Sequence, residues 1–167
     1  MKVEYKGKVY YHPGYYLRKI IVHSGLTVED FAYRLAIDES ILNQILIEKE
    51  NISVEIAIYL SRLFGCSKEY WLDLQKEYDL ALAYNKLDED LIKEKEILQY
   101  IEYDQFVLKY ELKAEDDVNK QIKNLREFFN ISSLTVLKTG DVNSISLNVD
   151  RFIKQNEIME FYSDIDL

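Results

Sequence analysis

Few residues in this chain are equipped for catalysis. Its 167 residues include two histidines, His12 and His23, and one cysteine, Cys66. No HExxH pattern occurs, so a zincin-type metal site is excluded. A single cysteine excludes an intramolecular disulfide and a cysteine-based zinc site. There is no glycine-rich phosphate loop and no nucleophile elbow. Cys66 has no charged neighbour to draw out a thiolate, and His12 has no orienting partner, so it reads as a turn or capping residue. No catalytic residue, metal or cofactor is expected, and the chain reads as a non-enzyme. The chemistry that remains is hydrogen bonding. Ser40, Asn43 and Gln44 fall within one short stretch, with Lys49 just after it and Thr27 before it. Amides and hydroxyls so placed can meet base edges or phosphate oxygens.

These side chains need elements to carry them. Pro13-Gly14 marks a turn that opens a first helix over 14–24, with Leu17, Ile20 and Ile21 on one face. Gly25 suits a left-handed cap. Thr27 caps a second helix, with Asp30 at the capping-box position. Phe31, Ala32 and Leu35 form its apolar face. The turn Ala36-Ile37 leads to a third helix opened by Asp38, with Leu42, Ile45 and Leu46 inward. Ser53 caps a fourth helix carrying Ala57, Leu60, Leu63 and Phe64, which Gly65 closes. Ser67 caps a fifth, with Tyr70, Trp71, Leu72 and Leu74; Trp71 reads as core. Five short helices joined by brief turns bury their stripes only against one another.

The second and third helices fit a helix-turn-helix. That motif needs a small residue where the helices cross, a tight turn, and apolar pins holding the recognition helix at its angle. Ala32 is the small residue, Ala36 stands where glycine is usual, and Ile37, Leu42 and Ile45 are the pins. Three further motifs accompany it: His12-Pro13-Gly14, Gly25-Leu26-Thr27, and Ser67 followed by Tyr70-Trp71-Leu72, Leu74-Gln75 and Tyr78-Asp79. On these residues the segment from His12 to about Tyr78 resembles the HigA-type antitoxins of the Xre, lambda-repressor-like, family. The resemblance implies a bacterial or phage protein that binds operator DNA as a homodimer and neutralises a cognate toxin. Residues 117–139 more weakly resemble the connector of proteins that fuse this domain to a zinc peptidase, and the peptidase is absent here.

Several positions depart from the family pattern. The first residue of helix two, commonly a phosphate-touching Gln, is Val28. The recognition helix has Asp38, Glu39 and Gln44 where Ser, Arg and Arg are common. Residues 12–80 hold 7 Lys+Arg against 11 Asp+Glu, a balance of −4. Residues 38–51 hold Lys49 against Asp38, Glu39, Glu48 and Glu50, a balance of −3. Phosphate contact dominates protein–DNA affinity, so this balance leaves two readings. In one, an antitoxin-like transcriptional regulator binds DNA through Thr27, Ser40, Asn43, Gln44 and Lys49. In the other, the chain is a non-enzymatic protein-binding module whose helix-turn-helix no longer binds DNA.

The expected organisation is mainly α: an N-terminal arm or short hairpin at 1–11, a five-helix domain at 12–80, and an acidic helical region at 81–167. In the last, a long or broken helix is expected over 86–113 and another from Asp117 to Phe129. A short helix over 134–138, a short strand at 144–149 (SISLNV, alternating at period two) and a final helix over about 150–162 with an acidic tail follow. Residues 81–167 carry 11 Lys+Arg against 18 Asp+Glu, a balance of −7 in a chain of net charge −9. Such a region suits a basic protein partner, such as an RNA-cleaving toxin. Tyr10, Tyr15 and Tyr16 lie in an N-terminal tyrosine cluster and are candidates for partner binding. No signal-peptide core and no membrane-length apolar run occur, which points to the cytoplasm.

Overall fold

The computed structural model describes residues 2–163, with side chains as far as Asn156. The acidic tail read from the sequence, with Asp164 and Asp166, lies outside the described residues. The fold is mainly α, and the chain divides into two compact units, Met1–Lys86 and Leu87–Leu167.

The first unit opens with an antiparallel hairpin. Strands β1 (Lys2–Tyr5) and β2 (Lys8–Tyr11) pair with Lys2 opposite Tyr11 and Tyr5 opposite Lys8. Lys6 and Gly7 connect them at φ 49° and 76°, the two left-handed residues that the tightest hairpin turn requires. Val3 is buried against Tyr78 and Ala81, with Tyr5 and Tyr10 half-buried beside it.

Helices α1 (Pro13–Ser24), α2 (Val28–Leu35), α3 (Glu39–Leu46) and α4 (Val54–Phe64) follow, each short and each capped. Thr27, Asp38 and Ser53 accept hydrogen bonds from Asp30, Ser40 and Ile56 backbone N–H groups. Gly25 and Gly65 close α1 and α4 in the left-handed region. Ala36 does the same for α2 at φ 56°, which costs a residue with a Cβ about 1–2 kcal/mol. Leu17, Phe31, Leu35, Leu42, Ile45 and Leu60 fill the core with almost no exposed surface. Each contributes roughly 1.5–3 kcal/mol by burial. Leu63 and Phe64, expected on the apolar face of α4, are each 38% exposed. Phe64 lies at the core margin, its ring 6.0 Å from Phe31 and 5.9 Å from Trp71. The expected Ala57 and Leu60 are buried, and Ile56 completes the α4 stripe in place of Leu63 and Phe64.

The next helix, α5, runs from Lys68 to Leu98. The fifth helix of the sequence reading and the first part of the helix expected over 86–113 are therefore one element. The physical reason is plain: no glycine or proline occurs between Cys66 and Thr139. Tight turns at Tyr100 and Ile101 end it, and α6 (Tyr103–Tyr110) follows.

The second unit contains the end of α5, then α6, α7 (Val118–Phe129), a short 3-10 helix at Leu134–Leu137, and α8 (Asn143–Ser163). Ile122, Leu125, Leu134, Leu137 and Ile145 are fully buried. Asp117 caps α7, and Ser133 caps the 3-10 helix. The strand expected at 144–149 is instead the first turns of α8. Asp141 starts that helix by accepting from the Asn143 and Ser144 backbone N–H groups. Ile145 and Asn148, one helical turn apart, face inward, while Leu147 is 72% exposed. The alternation of SISLNV hid a helix because its second inward residue is polar. The Asn148 amide donates to the Leu137 carbonyl and the Thr139 hydroxyl.

An ion pair with a buried carboxylate completes this unit. Glu94 is 1% exposed and receives Arg126 through both Nε and Nη2, together with the Leu134 backbone N–H. Burial pulls its pKa up, but donation from Arg126, Leu134 and Ser133 outweighs that and holds it below the usual carboxylate value. Among the described residues, no helix is long and apolar enough to cross a membrane.

Candidate nucleic-acid interface

The recognition helix α3 is gripped from behind. Leu42, Ile45 and Leu46 point into the core, which leaves Glu39, Ser40, Ile41, Asn43 and Gln44 exposed. Three long-range anchors hold its C-terminal end and the loop that follows. Gly14 of α1 lies against the Ile45 carbonyl, so closely that no Cβ would fit. Arg18, one turn further along α1, donates to the Leu46 carbonyl and pairs with Glu48. From α5, the buried Gln75 accepts from the Ile52 backbone N–H at 3.1 Å and donates to Asp79 at 2.9 Å.

His12 joins these anchors. Its Nδ1 accepts the Gly14 N–H at 3.0 Å, and its ring meets Tyr78 edge-on at 5.3 Å. A ring that accepts on Nδ1 is neutral and carries its proton on Nε2. Burial lowers the His12 pKa, while nearby Asn51 and Asp79 pull the other way. The opening His12-Pro13-Gly14 and the closing Gln75, Tyr78 and Asp79 thus form one constellation behind α3.

The electrostatics of the front differ from the sequence reading at one residue. The side chain of Glu48 is only 6% exposed and is paired with Arg18. It does not belong to the outward face. Asp38, Glu39 and Glu50 remain exposed there, with Lys49 the cation among residues 38–51. The Ser40 hydroxyl and backbone N–H hold the Asp38 carboxyl below its usual pKa, so it is charged.

The structure brings Ser40, Asn43 and Gln44 together on one exposed helix, and Lys49 follows in the loop. The Asn43 amide donates to Glu39 at 3.3 Å, which fixes its orientation and occupies one N–H. Thr27 stands apart at the start of α2. Its hydroxyl accepts from the Asp30 N–H at 3.0 Å and donates to the Asp30 carboxylate at 2.8 Å, so it is committed to capping. Of the tyrosines, Tyr15 and Tyr16 meet edge-on at 5.3 Å, and Tyr11 stacks on Tyr15 at 4.3 Å. Tyr10 lies elsewhere, half-buried on the hairpin against α5. Ile41, 42% exposed on α3, went unnoticed in the sequence because it adjoins the true inward Leu42. Cys66 accepts from the Trp71 indole N–H at 3.1 Å.

No family model matches the chain. Virulence-associated protein I of Dichelobacter nodosus is 36% identical over 73 residues, which is 43% of this chain and 68% of that protein. The uncharacterized HTH-type transcriptional regulator YddM of Escherichia coli K12 is 30% identical over 76 residues, 46% of this chain and 81% of that protein. Among solved structures, Pseudomonas aeruginosa antitoxin HigA with the higBA promoter is 34% identical, covers 47% of this chain and 87% of its own, and has a TM-score of 0.45. These matches take in less than half of this chain, the length of one small helix-turn-helix module. Through that module, the chain belongs to the Xre-like family of helix-turn-helix regulators.

Proposed function

We propose that the chain is an antitoxin-like transcriptional regulator of a toxin–antitoxin or phage-related system. It acts in the cytoplasm, without catalysis and as a homodimer. It binds operator DNA through α3 and a basic partner protein, such as a cognate toxin, through its acidic surfaces. One observation carries the DNA reading: Ser40, Asn43 and Gln44 are exposed on a helix whose buried residues and rear anchors leave its front free. Asn43 and Gln44 read base edges, Ser40 and Lys49 meet phosphate, and Thr27 contributes through the helix start it caps.

The test is an electrophoretic shift of the fragment upstream of the protein's own gene. The shift weakens as salt rises. Asn43→Ala with Gln44→Ala weakens it by about ten- to a hundredfold, the loss expected for one or two base contacts. An unchanged shift in the double variant would refute these residue roles.

A second reading is favoured by the exposed Asp38, Glu39 and Glu50 around one lysine. Here α3 recognises protein and not DNA. It predicts no shift of any promoter fragment at low salt, together with a stable complex with the product of a neighbouring gene.

A further inference from the structure

A groove of about 510 Å³ runs beside the front of α3, between the α2–α3 turn and the start of α4. Its walls are apolar at Ile37, Ile41, Ile56 and Tyr59. Asp38, Glu50 and Glu55 stand around them. The described residues lining it include no lysine or arginine. The Tyr59 hydroxyl donates to Glu55 at 2.7 Å, which lays the ring along the wall and keeps that carboxylate at the rim. Asp38 is held charged by its bonds to Ser40.

A groove with apolar walls and three surrounding carboxylates selects its occupant by charge. An anionic occupant seated between the carboxylates is disfavoured. A neutral apolar peptide leaves the carboxylates unpaired. An arginine or lysine side chain satisfies both parts, since its methylene stem lies on apolar surface while its head meets carboxylates. We propose that this groove docks a basic segment of the partner protein, in which cationic and apolar side chains alternate. This deepens the partner-protein reading above and rests on it. Because Ser40 and Gln44 also line the groove, a docked segment covers two residues of the proposed DNA row. Partner and operator then exclude each other on the same face.

The probe is a fluorescent pentapeptide of alternating arginine and leucine, titrated into the full chain. Amide and methyl NMR shifts locate it. Perturbations centred on Ile41, Glu50 and Tyr59 are expected. Binding should fall about tenfold in Asp38→Asn, Glu50→Gln, Glu55→Gln, the combined loss of three rim charges. Asparagine caps a helix as well as aspartate does, so this variant keeps α3 intact. Ile41→Ala should weaken binding independently of salt.

Binding that maps to the acidic residues of 87–167, or that survives the triple variant, overturns the groove while leaving a basic partner in place. No binding anywhere overturns both the groove and the partner reading. A concentration-dependent self-association that Ile41→Ala abolishes would assign the groove to a second copy of the chain, against the proposal. Asn43 does not line the groove, so Asn43→Ala should weaken the DNA shift and leave peptide binding unchanged.

Discussion

Gly14 on α1 lies directly against the carbonyl oxygen of Ile45 on α3, with no room for a Cβ between them. The α1–α3 crossing is therefore set by backbone contact and not by side-chain size. Gly14→Ala must push the two helices apart. Overpacking of this kind costs about 1–3 kcal/mol, and about 2 kcal/mol is expected in urea unfolding followed by Trp71 fluorescence. Trp71 is the only tryptophan and is buried in the first unit, so the signal reports that unit alone. A loss within error of zero would mean the contact relaxes freely.

His12 makes the same region acid-sensitive. Burial depresses its pKa below the ordinary 6.5. The neutral ring is what caps α1, so its contribution is fully present above pH 6.5 and is lost as pH falls through the folded-state value. Stability by Trp71 fluorescence should decline on acidification from there. His12→Asn keeps a capping acceptor and should flatten that decline. An identical pH profile in wild type and variant would reject this role.

Gln75 bridges α5 to the loop that follows α3. Gln75→Met preserves the volume but strands the buried Ile52 N–H. A buried donor left unmet costs about 1–3 kcal/mol. The sharper readout is hydrogen exchange, where the Ile52 amide should lose protection before the centre of α3 does. Retained protection at Ile52 would show that another acceptor serves it.

In the second unit, Glu94 holds Arg126 and the start of the 3-10 helix. Arg126 keeps about a third of its side chain in solvent, so the main loss in Glu94→Ala is the buried Leu134 N–H left without an acceptor, and about 2 kcal/mol is expected. The depressed pKa of Glu94 means its stabilisation is present above the ordinary carboxylate value of 4.5 and is lost as pH falls below it. Glu94→Gln should therefore remove an acid-induced loss of helical circular dichroism that leaves Trp71 fluorescence unmoved. If both signals move together, the network does not act within its own unit.

The elements that local chemistry determines were legible in the sequence. Caps at Thr27, Asp38, Ser53, Ser67 and Asp117 and the left-handed closures at Gly25 and Gly65 all depend on neighbours within a few residues. The inward stripe of α3 was equally clear from its spacing. Pairings across long separations were not. Nothing near Glu48 in sequence announces Arg18, 30 residues away, so Glu48 reads as a surface acid until the fold turns it inward. Glu94 and Arg126, 32 residues apart, were hidden for the same reason. Asn148 misled in the opposite sense, since a buried polar residue erased the helical period that Ile145 began.

The proposed site was legible as residues and not as a surface. Ser40, Asn43 and Gln44 follow from which faces of α3 are inward. The groove draws Glu50 from the loop after that helix and Glu55 and Tyr59 from α4, and only the fold brings all three alongside it.

The anchors behind α3 have an engineering consequence. Gly14 meets Ile45, Arg18 meets Leu46 and Glu48, and Gln75 meets Ile52, all behind or beyond the outward Ser40, Ile41, Asn43 and Gln44. Those four positions can be exchanged as a cassette while the mounting stays fixed. On the proposed reading, the same frame can carry a front borrowed from a different regulator, with no redesign of the interior.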